Sequence, residues 1–495
     1  MTQAAPPPPL GPRPRIGLVT KLFYGFGSVA FGIKDNGFRV FLLLFYNQVV
    51  GLPPALVSSA VLVAMLIDCL VDPIVGQISD NWRSKWGRRH PFMYASALPV
   101  ALSFLLLWNP PMAWPHSWLF WYLVVTAVVV RSFITLYEVP SASLTAEFTD
   151  DYDERTSLLG YRYLFGWWGG IILTAVMFFV LMKATPGYPR GQLNPAAYAH
   201  YGYVAAAMMF VAIIVSSLGT HRLIPWLRQP QEHRPPSLLA HLKEMFATLS
   251  NRPFAIIVTV GLFTAIAQGV SFSLAFYFST YFWELNPIQT GILLFDNFVG
   301  AGMALVIAPL ISRRSGKKLP ATVLLAVSIA IGFIPLALRL VGYLPDNGSP
   351  WLVPILFIDG VFRGSAGITA AILITSMLTD VVEHSEARTG RRSEGLFFAF
   401  SSLVQKAVSG VGVLIAGLLL SAVHFPPGAR ATGTAVDPDI LRNLALVYMP
   451  SLVILYGAGL IALQWYRISR DSHEQTLQSL AKAEALEETS PLEIP

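Results

Sequence analysis

Residues 68–92 read DCLVDPIVGQISDNWRSKWGRRHPF, and this stretch decides the fold. It continues an apolar run, AVLVAMLI at 60–67, yet it holds two aspartates four residues apart, Asp68 and Asp72. Within a dozen residues the chain then turns densely basic, with Arg83, Lys85, Arg88 and Arg89. An apolar run of this length followed by Lys and Arg is typical of a membrane span that ends in a cytoplasmic loop. The stretch therefore predicts a spanning helix with two carboxylates on one face.

The composition of the whole chain also indicates a membrane protein. Of its 495 residues, 54% are hydrophobic and 13% are charged, against roughly 25% charged residues in an average soluble domain. The net charge of +6 lies in loops between apolar runs, so it does not indicate nucleic-acid binding. Cys69 is the single cysteine, which excludes an internal disulfide and a thiolate metal site. We expect the lipid bilayer as a partner and no nucleic acid.

Apolar runs of about 20 to 30 residues predict about twelve membrane-spanning helices and an all-α polytopic fold. The predicted spans are 18–47, 55–80, 91–108, 117–144, 158–183, 202–223, 253–281, 289–311, 320–341, 351–379, 394–423 and 443–468.

The charge of the connecting loops alternates along the chain. The loops NWRSKWGRRHP, SRRSGKK and EARTGRRSEG are basic, whereas YNQVVGLPPA, WNPPMAWPHS and YFWELNPIQT contain no Lys or Arg. The positive-inside rule then places both termini in the cytoplasm, in a plasma membrane or a bacterial inner membrane. Lys183 and Arg190 fall on the outer side and count against this orientation without reversing it.

A repeated loop signature indicates two halves. LTAEFTDDYDERTSLLGYR begins at Leu144 and LTDVVEHSEARTGRRSEG begins at Leu378, each after a long span. Six spans, a long loop and six more spans is a transporter pattern. Within the middle loop, Ser237 to Leu249 is compatible with an amphipathic helix on the membrane surface. The predicted division is a disordered Pro-rich tail at 1–16, a six-helix bundle at 17–223, a cytoplasmic loop at 224–252, a second bundle at 253–469 and a cytoplasmic tail at 470–495.

Charged residues recur inside the predicted spans. Each costs roughly 2.5–3.5 kcal/mol at the bilayer centre, so together they should face a shared interior. They are Lys34, Asp35, Asp68, Asp72, Arg131, Glu138, Arg162, Asp296, Asp359, Arg363 and Lys406. Asp359 and Arg363, at i and i+4, are interpreted as a self-neutralising pair, and Asp296 has no evident partner.

The Asp68/Asp72 pair is the strongest candidate for an ion site. Carboxylates at i and i+4 lie roughly 6 Å apart on one helical face, and they repel unless one holds a proton or a cation lies between them. The pair is thus a site for Na⁺ or for a proton, and Pro73 would kink the helix beside it. Arg131, Thr135 and Glu138 share one face of span four, so Thr135 adds a hydroxyl oxygen. The alternative is structural pairing of the carboxylates with Lys34 or Arg131.

The end of span two has two interpretations. Asp80, with Gly76 four residues before it, is followed by the basic cluster that includes Arg88 and Arg89. Asp80 bonded to a basic loop residue would form a breakable cytoplasmic gate in the outward-open state. The alternative is a plain topological signal.

The chain shows no phosphate-binding loop and no nucleophile–base pair, so we predict a protein that is not an enzyme, has no cofactor and is driven by an ion gradient.

Several of these stretches together resemble the glycoside–pentoside–hexuronide:cation symporters, a family of the major facilitator superfamily that includes the melibiose permease. The matching stretches are DPIVGQISDNWRSKWGRRHPF, LFYGFGSVAFGIKD, YEVPSASLTAEFTDDYDERTSLLGYR and LVQKAVSGVG. The resemblance implies the major facilitator fold, with two pseudo-symmetric six-helix bundles, in a monomer. It implies cation ligands at Asp68, Asp72 and Thr135. It further implies solute binding by residues that line the cavity: Lys34, Asp35, Arg131, Glu138, Arg162 and Lys406.

Two departures from the family pattern bear on the solute. Val71 stands where the melibiose permease has an asparagine linked to Na⁺ selectivity, and Ala142 stands where it has a sugar-stacking tryptophan. We therefore expect cation-coupled symport of a sugar or glycoside by alternating access, with either Na⁺ or H⁺. One alternative is a lysolipid or other amphipathic solute, as in other branches of the family. Another is a non-transporting sensor that recruits a partner through its acidic C-terminal tail.

Overall fold

The computed structural model describes residues 16–149, 151–227, 248–389, 394–428 and 436–468, with five positions beyond them at 472, 475, 476, 478 and 479. Within these ranges the protein is helical, and the β contact they contain is one isolated bridge between Thr185 and Tyr188. The helices belong to two compact units, which are described separately below. Most of the predicted surface helix from Ser237 to Leu249 and most of the C-terminal tail lie outside the described residues, and Thr248–Ser250 form a short 3-10 turn.

The first unit begins with a helical run over residues 18–49 that is made of short pieces. They are α1 (Leu18–Phe26), α2 (Ser28–Asn36) and α3 (Leu42–Leu44), with π-helical turns at Gly37–Phe41 and Phe45–Val49. Five longer helices follow: α4 (Pro54–Asn81), α5 (His90–Trp108), α6 (His116–Phe148), α7 (Tyr152–Val176) and α8 (Pro195–His221). Ile16, which the sequence assigns to the N-terminal tail, is buried, and its N–H donates to Glu154.

The second unit has the same kind of helices. They are α9 (Arg252–Tyr277), α10 (Pro287–Leu293), α11 (Asp296–Ser315), α12 (Lys318–Leu340), α13 (Leu352–Thr389), α14 (Glu394–Ala422) and α15 (Pro438–Gln464). Helices α10 and α11 follow each other directly and act as one span.

Eleven helices within the described ranges are long and apolar enough to cross a membrane. They correspond to eleven of the predicted spans, and the broken run at 18–49 corresponds to the remaining one. The all-α polytopic fold class is therefore confirmed. The boundaries differ most at the tenth span, which ends at Thr389 instead of 379, and next at the sixth, which begins at Pro195 instead of 202.

The helix starts follow from local sequence. Asn194, Asn251 and Asn286 each accept a hydrogen bond from a backbone N–H in the first turn of the helix that follows, and a proline stands within the first two positions of each helix. An asparagine cap satisfies an otherwise unpaired donor, and proline lacks the N–H that would be unpaired there. The Asn–Pro pattern thus marks where the spans begin.

One side of α4 shows which surface faces lipid. Leu66, Leu70, Ile74 and Ile78 lie four residues apart and are all exposed, whereas Asp68 on another face is buried. Exposed apolar side chains on a spanning helix suit the hydrocarbon of a bilayer, and the polar groups are gathered inside the unit. The chain is thus a multi-pass membrane protein with a charged interior.

Candidate functional site

Asp68 and Asp72 meet the side chain of Thr135 between helices α4 and α6. The hydroxyl of Thr135 lies 3.0 Å from Oδ1 of Asp68 and 2.8 Å from Oδ1 of Asp72. A hydroxyl has one proton and two lone pairs, so it donates to one carboxylate at a time and retains an oxygen for a cation. Three side-chain oxygens of the hard type that Na⁺ binds are thus brought together around one point.

Arg131 neutralises one of the two aspartates. Its Nη2 donates to Oδ2 of Asp68 at 2.6 Å, and both residues are buried. Asp72 is more exposed than Asp68. The alternative predicted from the sequence, an ion pair between one of the carboxylates and Arg131, is therefore present for Asp68. Asp68 thus has a buried guanidinium as its partner, while Asp72 contacts the hydroxyl of Thr135 on a more exposed part of the same face.

Lys34 and Asp35 are adjacent in sequence but have different surroundings. Lys34 is 2% exposed, and its Nζ lies 4.3 Å from the ring centroid of Phe31. Asp35, Glu138 and Asp68 all attract its ammonium group electrostatically. Asp35 forms an ion pair with Arg39, whose Nε lies 3.2 Å from Oδ2 of Asp35. Arg39 was not among the site residues predicted from the sequence. Lys34 thus belongs to the buried charges, whereas Asp35 and Arg39 form a more exposed pair.

Arg162 lies in a polar network between α1, α6 and α7. Its Nη1 donates to Ser141 at 2.8 Å and to the hydroxyl of Tyr24 at 3.3 Å, and the guanidinium lies over the Tyr24 ring. Glu138 attracts both Arg162 and Lys34 electrostatically. The charged residues predicted in the first unit are therefore gathered in one interior. Tyr24 and Ser141 were missed, although Ser141 stands three residues after Glu138 and so shares its helical face.

At the end of the first unit that carries the basic loop, Glu147 is the central acceptor. Its Oε1 accepts hydrogen bonds from Arg88 at 2.6 Å and from Arg89 at 3.0 Å. Arg89 also pairs with Asp80 and donates to Ser79. The pair that the sequence predicts between Asp80 and a basic loop residue is thus formed by Arg89, while Arg88 binds Glu147. Gly76 lies beside Val139 of α6. A gating role for these residues stays a prediction.

The second unit repeats this arrangement. Lys317 precedes α12 as Arg89 precedes α5, and its Nζ lies 2.5 Å from Oδ1 of Asp380 on α13. Asp380 is the second residue after Leu378, and Glu147 is the third after Leu144. The acid in each copy of the loop signature therefore binds the basic residue that caps the third span of its own unit.

Asp296 has a partner that the sequence did not reveal. Its Oδ2 lies 3.9 Å from Nη2 of Arg363, and the Nε of Arg363 lies 3.7 Å from Oδ2 of Asp359. The predicted Asp359–Arg363 pair is present, but it is not self-contained because Asp296 makes it a cluster of three. Lys406 lies half-buried on α14 in the same unit. Its prediction as a solute ligand rests on the resemblance.

A bundle of spanning helices with ion pairs in its interior is typical of membrane transporters, and comparison with known proteins gives both this class and the family. The model of the family described as MFS/sugar transport protein matches residues 23–470. The chain belongs to this family, the glycoside–pentoside–hexuronide:cation symporters of the major facilitator superfamily.

Three relatives and one solved structure illustrate the similarity. An uncharacterized symporter of Synechocystis is 27% identical, with 94% of this chain and 97% of that protein covered. The isoprimeverose transporter of Lactiplantibacillus pentosus is 24% identical, with 90% and 88% covered. The human sodium-dependent lysophosphatidylcholine symporter 1 is 23% identical, with 94% and 90% covered. The crystal structure of the nucleoside transporter NupG has a TM-score of 0.59 at 14% identity, covers 91% of this chain and 100% of its own, and shows a likeness of fold.

Proposed function

We propose that the protein is a cation-coupled symporter of a sugar or glycoside that works by alternating access. One observation carries the proposal. Inside a membrane-spanning bundle, the hydroxyl oxygen of Thr135 lies within 3.0 Å of a carboxylate oxygen of Asp68 and of a carboxylate oxygen of Asp72. Retaining two carboxylates there is costly, so a role in binding the coupling ion explains them better than packing does. The family model, whose description names sugar transport, and the isoprimeverose transporter support a sugar as the solute.

The cation would bind at Asp72 and Thr135. Arg131 pairs with Asp68, so Na⁺ or H⁺ at the carboxylate of Asp72 and the hydroxyl of Thr135 would add positive charge on the more exposed side of the cluster. Lys34 interacts electrostatically with Asp68 and Arg131 of this cluster, and Glu138 interacts with both Lys34 and Arg162. A change of charge in the cluster would therefore act on the groups proposed to hold solute hydroxyls. Asp35, in the same unit, would add an acceptor for the solute.

The protein is further proposed to lie in a plasma membrane or bacterial inner membrane with both termini in the cytoplasm. The alternation of basic and uncharged loops supports this orientation. The Arg89–Glu147 and Lys317–Asp380 pairs would then lie at the cytoplasmic ends of the spans, where they would form and break as access alternates.

Uptake into liposomes tests the function. The purified protein is reconstituted, and a panel of monosaccharides, disaccharides, glycosides and hexuronates is offered under an inward Na⁺ gradient and then under a proton gradient. Accumulation of a sugar under one gradient, and its loss when that gradient is collapsed, is the expected result. No accumulation of any sugar under either gradient would refute the proposal.

A lysolipid is the second candidate solute. Its support is the human lysophosphatidylcholine symporter among the relatives and the exposed side chain of Ala142, which offers no aromatic ring for stacking a sugar. Labelled lysophosphatidylcholine in the same liposomes separates the two candidates. If the lipid accumulates under a gradient and no sugar does, the transported solute is the lysolipid.

A further inference from the structure

In each unit, a carboxylate–guanidinium pair joins the second span to the fourth. In the first unit the pair is Asp68 of α4 and Arg131 of α6, and in the second it is Asp296 of α11 and Arg363 of α13. Arg131 stands 13 residues before Leu144 and Arg363 stands 15 residues before Leu378, where the two copies of the loop signature begin. The two arginines therefore hold nearly equivalent places in the repeat.

The two pairs differ in how tightly they close. Arg131 contacts Asp68 at 2.6 Å, and its side chain is 4% exposed. Arg363 lies 3.9 Å from Asp296 and 3.7 Å from Asp359, and its side chain is 44% exposed. These separations exceed the roughly 2.7–3.2 Å of an N–H···O hydrogen bond. The two carboxylates therefore hold the guanidinium of Arg363 through long contacts, of which the one to Asp359 has hydrogen-bond character, and they leave most of its roughly five N–H donors for another partner.

From its place along the helix, we infer that Arg363 lies deep in the membrane. Arg363 stands 11 residues after Leu352, where its helix begins. At about 1.5 Å per residue it lies roughly 17 Å along the helix axis, and the hydrocarbon of a bilayer is about 30 Å thick. A half-exposed guanidinium at that depth is stable only if it faces water or a polar ligand. Two glycines make room for the cluster. A Cβ at Gly332 would lie 2.6 Å from Cδ of Arg363, and one at Gly360 would lie 1.8 Å from Oδ2 of Asp296.

We propose that Arg363, positioned by Asp296 and Asp359, binds the transported solute in the second unit, and that this solute is an uncharged, hydroxyl-rich sugar or glycoside. The inference rests on the function proposed above and narrows its substrate class. Arg363 supplies donors and Asp359 supplies acceptors, and a sugar hydroxyl uses both. Two carboxylates against one guanidinium leave excess negative charge beside Arg363, which disfavours the carboxylate of a hexuronate at this position.

Substitution of Arg363 tests the proposal in the same liposomes. Arg363→Gln is compared with the unchanged protein and with Arg442→Gln, which removes an exposed arginine at the start of α15. We expect Arg363→Gln to raise the KM for the transported sugar about ten-fold, as for a lost hydrogen bond to a charged group. The cation concentration for half-maximal uptake should stay within about two-fold, because the residues of the cation cluster belong to the first unit, whereas Arg363 and the two carboxylates beside it belong to the second. Arg442→Gln should change neither quantity.

A second variant distinguishes a loss of solute binding from a folding defect. Arg363→Gln leaves Asp296 buried without its guanidinium, so the double variant Asp296→Asn plus Arg363→Gln, which removes both charges, is measured beside it. Thermal unfolding in detergent shows whether each protein is folded. The double variant should be folded and should still show the raised KM.

The outcomes separate this inference from the proposed function. No sugar uptake by the unchanged protein overturns both. Sugar uptake with an unchanged KM in a folded Arg363 variant overturns the role of Arg363 alone. A preference for hexuronates over neutral glycosides overturns the solute class, while the symport function stands.

Discussion

Arg131 donates to Asp68 at 2.6 Å inside the first unit, and both side chains are at most 4% exposed. Asp72, one helical turn further along α4, contacts Thr135 and is more exposed. The two aspartates are adjacent on the same helical face, but they are not equivalent. Asp68 is part of a buried ion pair that stabilises the contact between α4 and α6, whereas Asp72 is the aspartate at which we propose that the cation binds.

Substitution of the two aspartates should therefore give different results. Asp72→Asn should abolish gradient-driven accumulation and leave the thermal stability nearly unchanged. Asp68→Asn should abolish accumulation and also destabilise the protein by about 3–5 kcal/mol, because Arg131 is left buried without its counter-charge. Uptake and thermal unfolding are measured on both variants.

The control for this pair is Asp346→Asn. Asp346 is fully exposed and lies 3.6 Å from Arg339, a surface ion pair worth about 0–1 kcal/mol. Its substitution should alter neither uptake nor unfolding. Normal accumulation by Asp72→Asn would contradict the assignment of the cation site.

Thr135 should bind the cation through its hydroxyl oxygen, and its role should not be limited to packing. Thr135→Val keeps the volume of the side chain and removes the hydroxyl, whereas Thr135→Ser keeps the hydroxyl and removes a methyl group. We expect Thr135→Val to raise the cation concentration for half-maximal uptake about ten-fold, since one ligand of roughly hydrogen-bond strength is lost. Thr135→Ser should stay within about two-fold. Equal effects of the two substitutions would show that packing, and not the hydroxyl, matters.

The spans could be predicted from sequence because their signal is local. About 20 successive apolar residues suffice to cross a bilayer, and eleven predicted spans correspond to helices of the structure. The Asp68/Asp72 face is equally local, because residues at i and i+4 always share a face of a helix. The division of the run at 18–49 into α and π pieces has no comparable signal.

Partners far apart in sequence could not be predicted. Asp296 and Arg363 are 67 residues apart, and their contact depends on how α11 packs against α13. Glu147 lies among other acids just after a span, so composition alone does not distinguish it from a solvated loop residue. Its burial follows from the packing of α5 against α6, which brings Arg88 and Arg89 to one oxygen.

Glu147 should matter more for stability than Asp80, although the sequence drew attention to Asp80. Glu147 is 4% exposed and binds two arginines, whereas the side chain of Asp80 is 51% exposed. We expect Glu147→Gln to lower the free energy of unfolding by about 3 kcal/mol and Asp80→Asn by about 1 kcal/mol or less. Chemical denaturation in detergent measures both. A larger loss from Asp80→Asn would show that the surface pair dominates this end of the unit.

The approach of α2 to α7 gives a prediction about packing. A Cβ at Gly32 would lie 1.8 Å from the carbonyl oxygen of Gly166, and one at Gly170 would lie 2.5 Å from the carbonyl oxygen of Gly32. Both contacts are with backbone, which cannot rotate away as a side chain can. Gly32→Ala should therefore force α2 and α7 apart and destabilise the first unit by about 1–3 kcal/mol or more. Lys34 and Asp35 lie on α2 just beyond this contact, so uptake should fall as well.

Gly160→Ala is the matched substitution, because Gly160 lies on the same helix α7 with nothing within 4 Å of its Cβ position. Alanine has a higher helix propensity than glycine, so this variant should be unchanged or up to about 1 kcal/mol more stable. The midpoint of thermal unfolding and the initial rate of uptake are compared for both variants. If Gly32→Ala behaved like Gly160→Ala, the close backbone contact between α2 and α7 would not be needed for the fold, and the position of Lys34 would have to be set by its charged neighbours alone.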